Sequence, residues 1–380
     1  MADILENFQG RHRNLIETCE ARADEMEDAF NSHAMFDKTQ RRLVGAYFLH
    51  EYSFESSALF NPSIVPDPDQ SDVLQGARRF ILSLRAVGEG HISSLTFRSG
   101  IVAADGNVTI KVPARLASIP SISTHAPGDR SDTVTVTFKA EEDISERVIF
   151  PVTEAQLNGI EDARFVEFEH TGETIFYATY TAFSGKGIRS ELIETKDFVS
   201  FRMTPLKGSA AQNKGMALFP RKLDGKYLMI ARQDNENLYL VSSDDLYTWD
   251  GGELLLKPQY PWEFIQIGNC GAPIELDEGW LLLTHGVGPI RRYSIGAVLL
   301  DKSDPSKVIA RSREPLVRPD ASEREGYVPN VVYTCGAMRH GGQIILPYAT
   351  SDTFTSFATI QIETLMRTME RVDHISASRN

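Results

Sequence analysis

Cysteine is scarce: Cys19, Cys270 and Cys335 stand far apart and form no CxxC pair. That excludes a disulfide framework and a cysteine-based zinc site, and fits a reducing, cytoplasmic setting. No apolar run approaches the roughly 18 residues needed to span a bilayer, and the opening MADILENFQGRHRN has no signal-peptide core. The chain therefore reads as soluble, unsecreted and without a membrane partner. Basic residues are outnumbered, 39 Lys and Arg against 52 Asp and Glu, for a net charge of −13. Such a surface repels backbone phosphate at long range, which argues against a general nucleic-acid binder while leaving local basic pockets open. The nine histidines fall at no metal-ligand spacing, so neither a metal nor another cofactor is expected. No GxSxG, HExxH or Walker A pattern occurs, and the glycines of Gly88-Glu89-Gly90 read as turn residues that open no phosphate-binding helix.

Proline is absent from the first fifty residues, which are rich in Glu, Arg, Ala and Leu and place Ile4, Phe8, Leu15 and Cys19 at helical spacing. Residues 1–52 are expected to form a helical extension, packed on the main domain or serving as a contact between copies of the chain. From LFNPSIV onward the texture changes. Short alternating or β-branched runs such as RFILSLRAV, TVTVTFKA, TIFYATYTAF and GWLLLTHGV recur between Gly, Asp, Asn and Pro clusters. Long helical crossovers are missing, so residues 53–366 read as an all-β domain, followed by a tail at 367–380.

Weak repetition narrows the architecture. In ELIETKDFVSF a strand is followed by Asp197 and, four residues on, by Phe201; LYLVSSDDLYTW repeats this with Asp245 and Trp249, and AVLLDKSDPSKV is a looser copy. Each reads as an Asp-anchored turn, at intervals of roughly 50 to 60 residues, the length of a four-stranded propeller blade. The expectation is a five-bladed β-propeller, with a pair of β-sandwiches as the alternative. Trp249 and Trp280 read as core more readily than as sugar platforms.

Polar residues inside apolar strands are the candidate ligand contacts: Arg85, Arg98, Asp162, Lys214, Arg232, His285 and Asp352. Any one of them could be a structural ion pair. Together they form a mixed-sign set in which cations outnumber carboxylates within an acidic chain, which points to an anionic ligand. Glu161, Asp162 and Arg164 sit together at the mouth of a strand in GIEDARFVEF.

The runs FNPSIV, IEDARFV, NKGMALFPRKLDGKY, IARQDNENLYL, IGNCGAPIELDEGWLLLTHGV, YSIGAVLLDKSDPSKVIAR and GYVPNVVYTCG resemble glycoside hydrolase family 130, the β-mannoside phosphorylases and related β-mannosidases. The resemblance covers roughly residues 56 to 362 and implies a five-bladed propeller. It makes Asp162 the acid, with Ala163 where many members have Pro, and has the proton pass through a sugar hydroxyl. Glu161 and Arg164 would support that acid. Lys214, Arg232 and His285, with Tyr293 beside them, would hold inorganic phosphate as co-substrate. Asn61, Arg85, Arg98 and Asp352 would contact the mannosyl unit.

Inverting cleavage needs an acid at the leaving oxygen and a nucleophile on the opposite face. Water would need a second carboxylate as base, whereas phosphate needs only to be held. The family's hydrolases tend to lose the basic set, which is present here, so the expectation is an inverting β-mannoside phosphorylase, a glycosyltransferase-type activity acting on a β-mannoside oligosaccharide. A β-mannosidase using water and a non-catalytic, glycan- or protein-binding propeller are the alternatives. Glu89 and His91 depart from the family pattern and read either as a polar hairpin turn or as an acceptor-side loop; Glu89 could serve as a base restoring hydrolysis.

Overall fold

A computed structural model describes residues 1–30, 36–124, 132–321 and 323–372. Three helices, Ala2–Asn7, Leu15–Phe30 and Lys38–Tyr47, precede the first strand. The third is started by Asp37, whose side chain accepts from the backbone N–H of Thr39 and Gln40 while the Gln40 side chain accepts from the Asp37 N–H. This reciprocal cap satisfies donors that the first turn would otherwise leave open.

The strands that follow form four sheets, of ten, four, six and four strands. This corrects the expected five-bladed propeller: the described strands do not divide into five four-stranded blades, and no sheet among them closes on itself. The ten-stranded sheet arises where Ser93 pairs in parallel with Gly159, joining two antiparallel sets. Gly159 has φ 139°, and a Cβ there would lie 2.1 Å from the Ser93 hydroxyl, so only glycine permits the junction. Turn spacing in a sequence counts hairpins; it does not report pairing between them.

The Asp-anchored turns are present. Asp197 Oδ1 accepts from the N–H of Val199 and Ser200, and Asp301 Oδ1 accepts from those of Ser303 and Asp304. At Asp245 one carboxylate oxygen takes the Tyr247 N–H and the other the Thr248 hydroxyl. Such turns reverse the chain while saturating its own donors. Phe201, Trp249 and Trp280 are fully buried, with each indole N–H donating to a backbone carbonyl, so the tryptophans are core.

The strand Glu370–Arg371 lies within the expected tail and pairs with Ala310 and Arg311. Residues 373–380, the end of that tail, lie outside the described residues. Cys19, Cys270 and Cys335 are free and buried. Among the described residues no helix is long and apolar enough to cross a membrane, and no group of three or more His, Cys, Asp or Glu is placed to hold a metal ion.

Candidate active site

Asp162 and Asn61 occupy matching irregularities. The register of strand Ala58–Pro66 breaks between Phe60 and Ser63, and that of strand Gly159–His170 breaks between Glu161 and Arg164. Asn61 has φ 50° and Asp162 φ 56°. Left-handed backbone is least unfavourable for Asn and Asp among non-glycine residues, and a bulge re-aims the side chain it carries. Here both side chains turn toward each other: Asn61 Nδ2 donates to Asp162 Oδ1 at 2.7 Å.

The carboxylate is surrounded by cations. Arg85 approaches it at 3.6 Å while donating to Glu161 at 2.8 Å. Lys214 Nζ lies 3.7 Å from Glu161 and is only half-buried. Arg164 donates to the Asp162 carbonyl at 2.9 Å and to the Tyr333 hydroxyl at 2.7 Å. Burial pushes the Asp162 carboxyl up, but Arg85, Arg164, Lys214 and the Asn61 amide outweigh it and hold the group below its ordinary range.

Tyr333 leads to a second cluster, its ring 4.8 Å from that of His285, which also stacks on Tyr293 at 5.9 Å. Arg232 Nη1 lies 3.4 Å from His285 Nε2. Gly268, paired opposite His285, leaves the imidazole its space, since a Cβ there would sit 2.3 Å from Cε1. Burial, then Arg232 and Arg164, hold His285 well below its ordinary value. The sequence counted His285 as a cation; in the folded chain it is a neutral ring at neutral pH, because a buried imidazole beside two guanidiniums cannot afford another charge.

Arg232 is itself buried, its Nε has no partner, and among the described residues no carboxylate lies within hydrogen-bonding reach of it. Lys214 is joined to it through the neighbouring Asn213, whose side chain donates to the Arg232 carbonyl. Asp352, with φ 50°, stands at the turn before strand Phe354–Gln361. Burial, then the nearby charge of Asp162, push its carboxyl up to about 6 against the pull of Arg85 and Arg291.

The structure thus brings together Asn61, Arg85, Glu161, Asp162, Arg164, Lys214, Arg232, His285, Tyr293 and Asp352. Two expected members make no hydrogen bond or ion pair with this set among the described residues. Arg98 is buried, its Nη2 donating to both Glu55 carboxylate oxygens at 2.6 Å and its Nη1 to Thr96 Oγ1 and the Phe97 carbonyl. Glu89 is exposed on the turn after strand Arg78–Val87. Tyr333, which joins the two clusters, escaped sequence reading because a tyrosine in VPNVVYTCG carries no signal separating it from core. Asn269, fully buried next to Cys270 with neither amide atom bonded, was missed for the same reason.

The family described as β-1,4-mannooligosaccharide phosphorylase, glycoside hydrolase family 130, matches residues 129–371. A 1,2-β-oligomannan phosphorylase of a Thermoanaerobacter species is 37% identical over 56% of this chain and 71% of that protein. A β-1,2-mannobiose phosphorylase of Listeria innocua is 33% identical over 58% of this chain and 63% of that protein. The solved structure of a Listeria innocua β-1,2-mannobiose phosphorylase with β-1,2-mannobiose superposes with a TM-score of 0.58 at 21% identity, covering 82% of this chain and 92% of the other, so the fold is shared. With the family's pattern matched across most of its β region, the chain belongs to glycoside hydrolase family 130.

Proposed function

We propose that the chain is an inverting β-mannoside phosphorylase, which uses inorganic phosphate to cleave a β-linked mannoside into α-mannose 1-phosphate and a shortened acceptor. The observation that carries this reading is Arg232, a buried guanidinium without a carboxylate partner among the described residues. An isolated buried charge is unfavourable by roughly several kcal/mol and is relieved by an anionic ligand. Arginine can meet phosphate oxygens with two parallel donors.

In this mechanism Arg232 and Lys214 hold phosphate, Tyr293 borders it, and His285 orients the guanidinium. A phosphate oxygen attacks the anomeric carbon as the bond to the leaving oxygen breaks on the opposite face. Asp162 supplies the proton through a mannosyl hydroxyl. Its carboxyl is depressed by the surrounding cations, and the negative charge of arriving phosphate opposes that depression, so phosphate binding favours the protonated acid. Asn61, Arg85 and Asp352 contact the mannosyl unit, while Glu161 and Arg164 hold the acid in place. Arg98 acts instead on Glu55. A hydrolase would need a second carboxylate as base; Glu161 is tied to Arg85, Glu89 is exposed, and Asp352 is assigned here to the mannosyl hydroxyls.

Three free cysteines fit a cytoplasmic enzyme, and the N-terminal helices are the proposed contact for self-association. The test is to incubate the protein with β-1,2- and β-1,4-mannobiose with and without phosphate. Mannose 1-phosphate should form only with phosphate. Mannose release that continues undiminished in phosphate-free buffer would overturn the reading in favour of hydrolysis.

A further inference from the structure

Two hairpins rise from the strands that carry Arg85 and His285, and they share a backbone. Gly88 has φ −104° and ψ −162°, and Gly288 has φ −106° and ψ −161°; each begins a short turn, Glu89–His91 or Pro289–Arg291, kinked at a left-handed middle residue, Gly90 at φ 73° or Ile290 at φ 57°. Each turn ends in an exposed, left-handed residue, His91 at φ 58° and Arg291 at φ 52°. His91 stacks on Tyr327, ring centroids 6.1 Å apart and planes 27° apart, although Tyr327 remains 55% exposed.

Tyr327 is tied to the site at both ends of its segment. Its N–H donates to Thr353 Oγ1 at 3.0 Å and the Val328 N–H to the Ser351 carbonyl at 3.1 Å, the turn that carries Asp352. Two residues further on, the Asn330 carbonyl accepts from the Tyr293 N–H. The segment therefore reaches from the Asp352 side to the Tyr293 side, with the Tyr327 ring against the first hairpin.

That hairpin is held from below by the chain leaving the N-terminal helices. Tyr52 Oη donates to the Glu89 carbonyl at 3.1 Å, and the Glu89 N–H approaches the Ser53 carbonyl at 3.4 Å. The fit is close: a Cβ on Gly88 would lie 2.6 Å from Tyr52 Oη and 2.8 Å from Phe54 Cα. Glu55 is fixed by Arg98, which accounts for the arginine that stands apart from the site.

We propose that the 52–55 segment clamps the 88–91 hairpin so that His91 and Tyr327 form the wall that receives the acceptor sugar, making Tyr52 a positioning residue for acceptor binding. The proposal rests on the phosphorylase reading for its substrate class. An exposed, pre-stacked aromatic pair offers a saccharide ring an apolar face beside polar edges, with little side-chain freedom left to lose. The N-terminal extension thereby becomes part of the site within a single chain.

The test uses the full chain, Tyr52→Ala, Tyr327→Ala and the double variant. In the synthetic direction, from α-mannose 1-phosphate to a mannose acceptor, each single variant should raise the acceptor KM about five- to tenfold, on the scale of one aromatic contact. The KM for α-mannose 1-phosphate should be unchanged. The double variant should be no worse than Tyr327→Ala alone, since both act through one contact. Calorimetric binding of β-1,2- and β-1,4-mannobiose by the same proteins reports on the wall even if no phosphorolysis is found, which would sink the functional reading alone. Acceptor KM and disaccharide affinity within twofold of the parent in both single variants, multiplicative losses in the double variant, or no disaccharide binding by the parent would overturn the proposal.

Discussion

Replacing Asp352 with asparagine removes a carboxyl that the folded chain holds at about 6, against an ordinary value of 3.8, through burial and the charge of Asp162. The folded state thus binds this proton more tightly than the unfolded state does. Stability from the group is fully present below its ordinary value and is lost as pH rises through about 6. The whole shift corresponds to about 3 kcal/mol, of which about 1.5 kcal/mol falls between pH 5 and pH 8. Asparagine keeps the shape without the charge. Asp352→Asn should therefore gain on the parent as pH rises, by roughly 2 °C in Tm between pH 5 and pH 8 for a chain of this length. Differential scanning fluorimetry of both proteins in phosphate-free buffers would measure the difference, and taking it against the parent cancels the titration of other carboxylates. A difference in Tm that is the same at both pH values would refute the raised carboxyl and the electrostatic coupling to Asp162.

Asp162→Asn should retain the Asn61 contact and the fold, checked by circular dichroism, while lowering mannobiose turnover by about 10²–10⁴-fold, the scale of general acid catalysis; unchanged turnover would exclude Asp162 as the acid. Arg232→Met should raise the phosphate KM at least about tenfold and abolish the rise in Tm expected on adding phosphate to the parent, since ligand stabilisation requires the binding site. Gly268→Ala should displace the His285 ring, weaken phosphate binding and lower stability by about 1–3 kcal/mol, measured by urea unfolding, because its Cβ would meet the ring at 2.3 Å.

The helical start was legible because its apolar spacing and its freedom from proline are local properties, as were the Asp-anchored turns, where a side chain bonds backbone two or three residues ahead. Asp162 stood out because an acidic pair and an arginine opening an apolar strand form a dense local pattern. The partition into sheets was not legible. It depends on the Ser93–Gly159 pairing, between residues 66 positions apart in the numbering, and no turn signal encodes such a contact.

Charge state and partnership were likewise decided in three dimensions. The sequence offered both Arg98 and Arg232 as ligand contacts, yet one is paired with Glu55 and the other has no carboxylate within hydrogen-bonding reach among the described residues. It counted His285 as a cation, which burial beside Arg232 reverses. By itself the sequence determined the strand-rich composition, the Glu161-Asp162-Ala163-Arg164 charge cluster and the supply of basic residues, because propensity and short-range bonding are written in neighbouring residues. Only the tertiary structure decided which of those residues meet, which are neutral, and that Tyr333 joins Arg164 to His285, because burial and Coulomb interaction depend on distance in space.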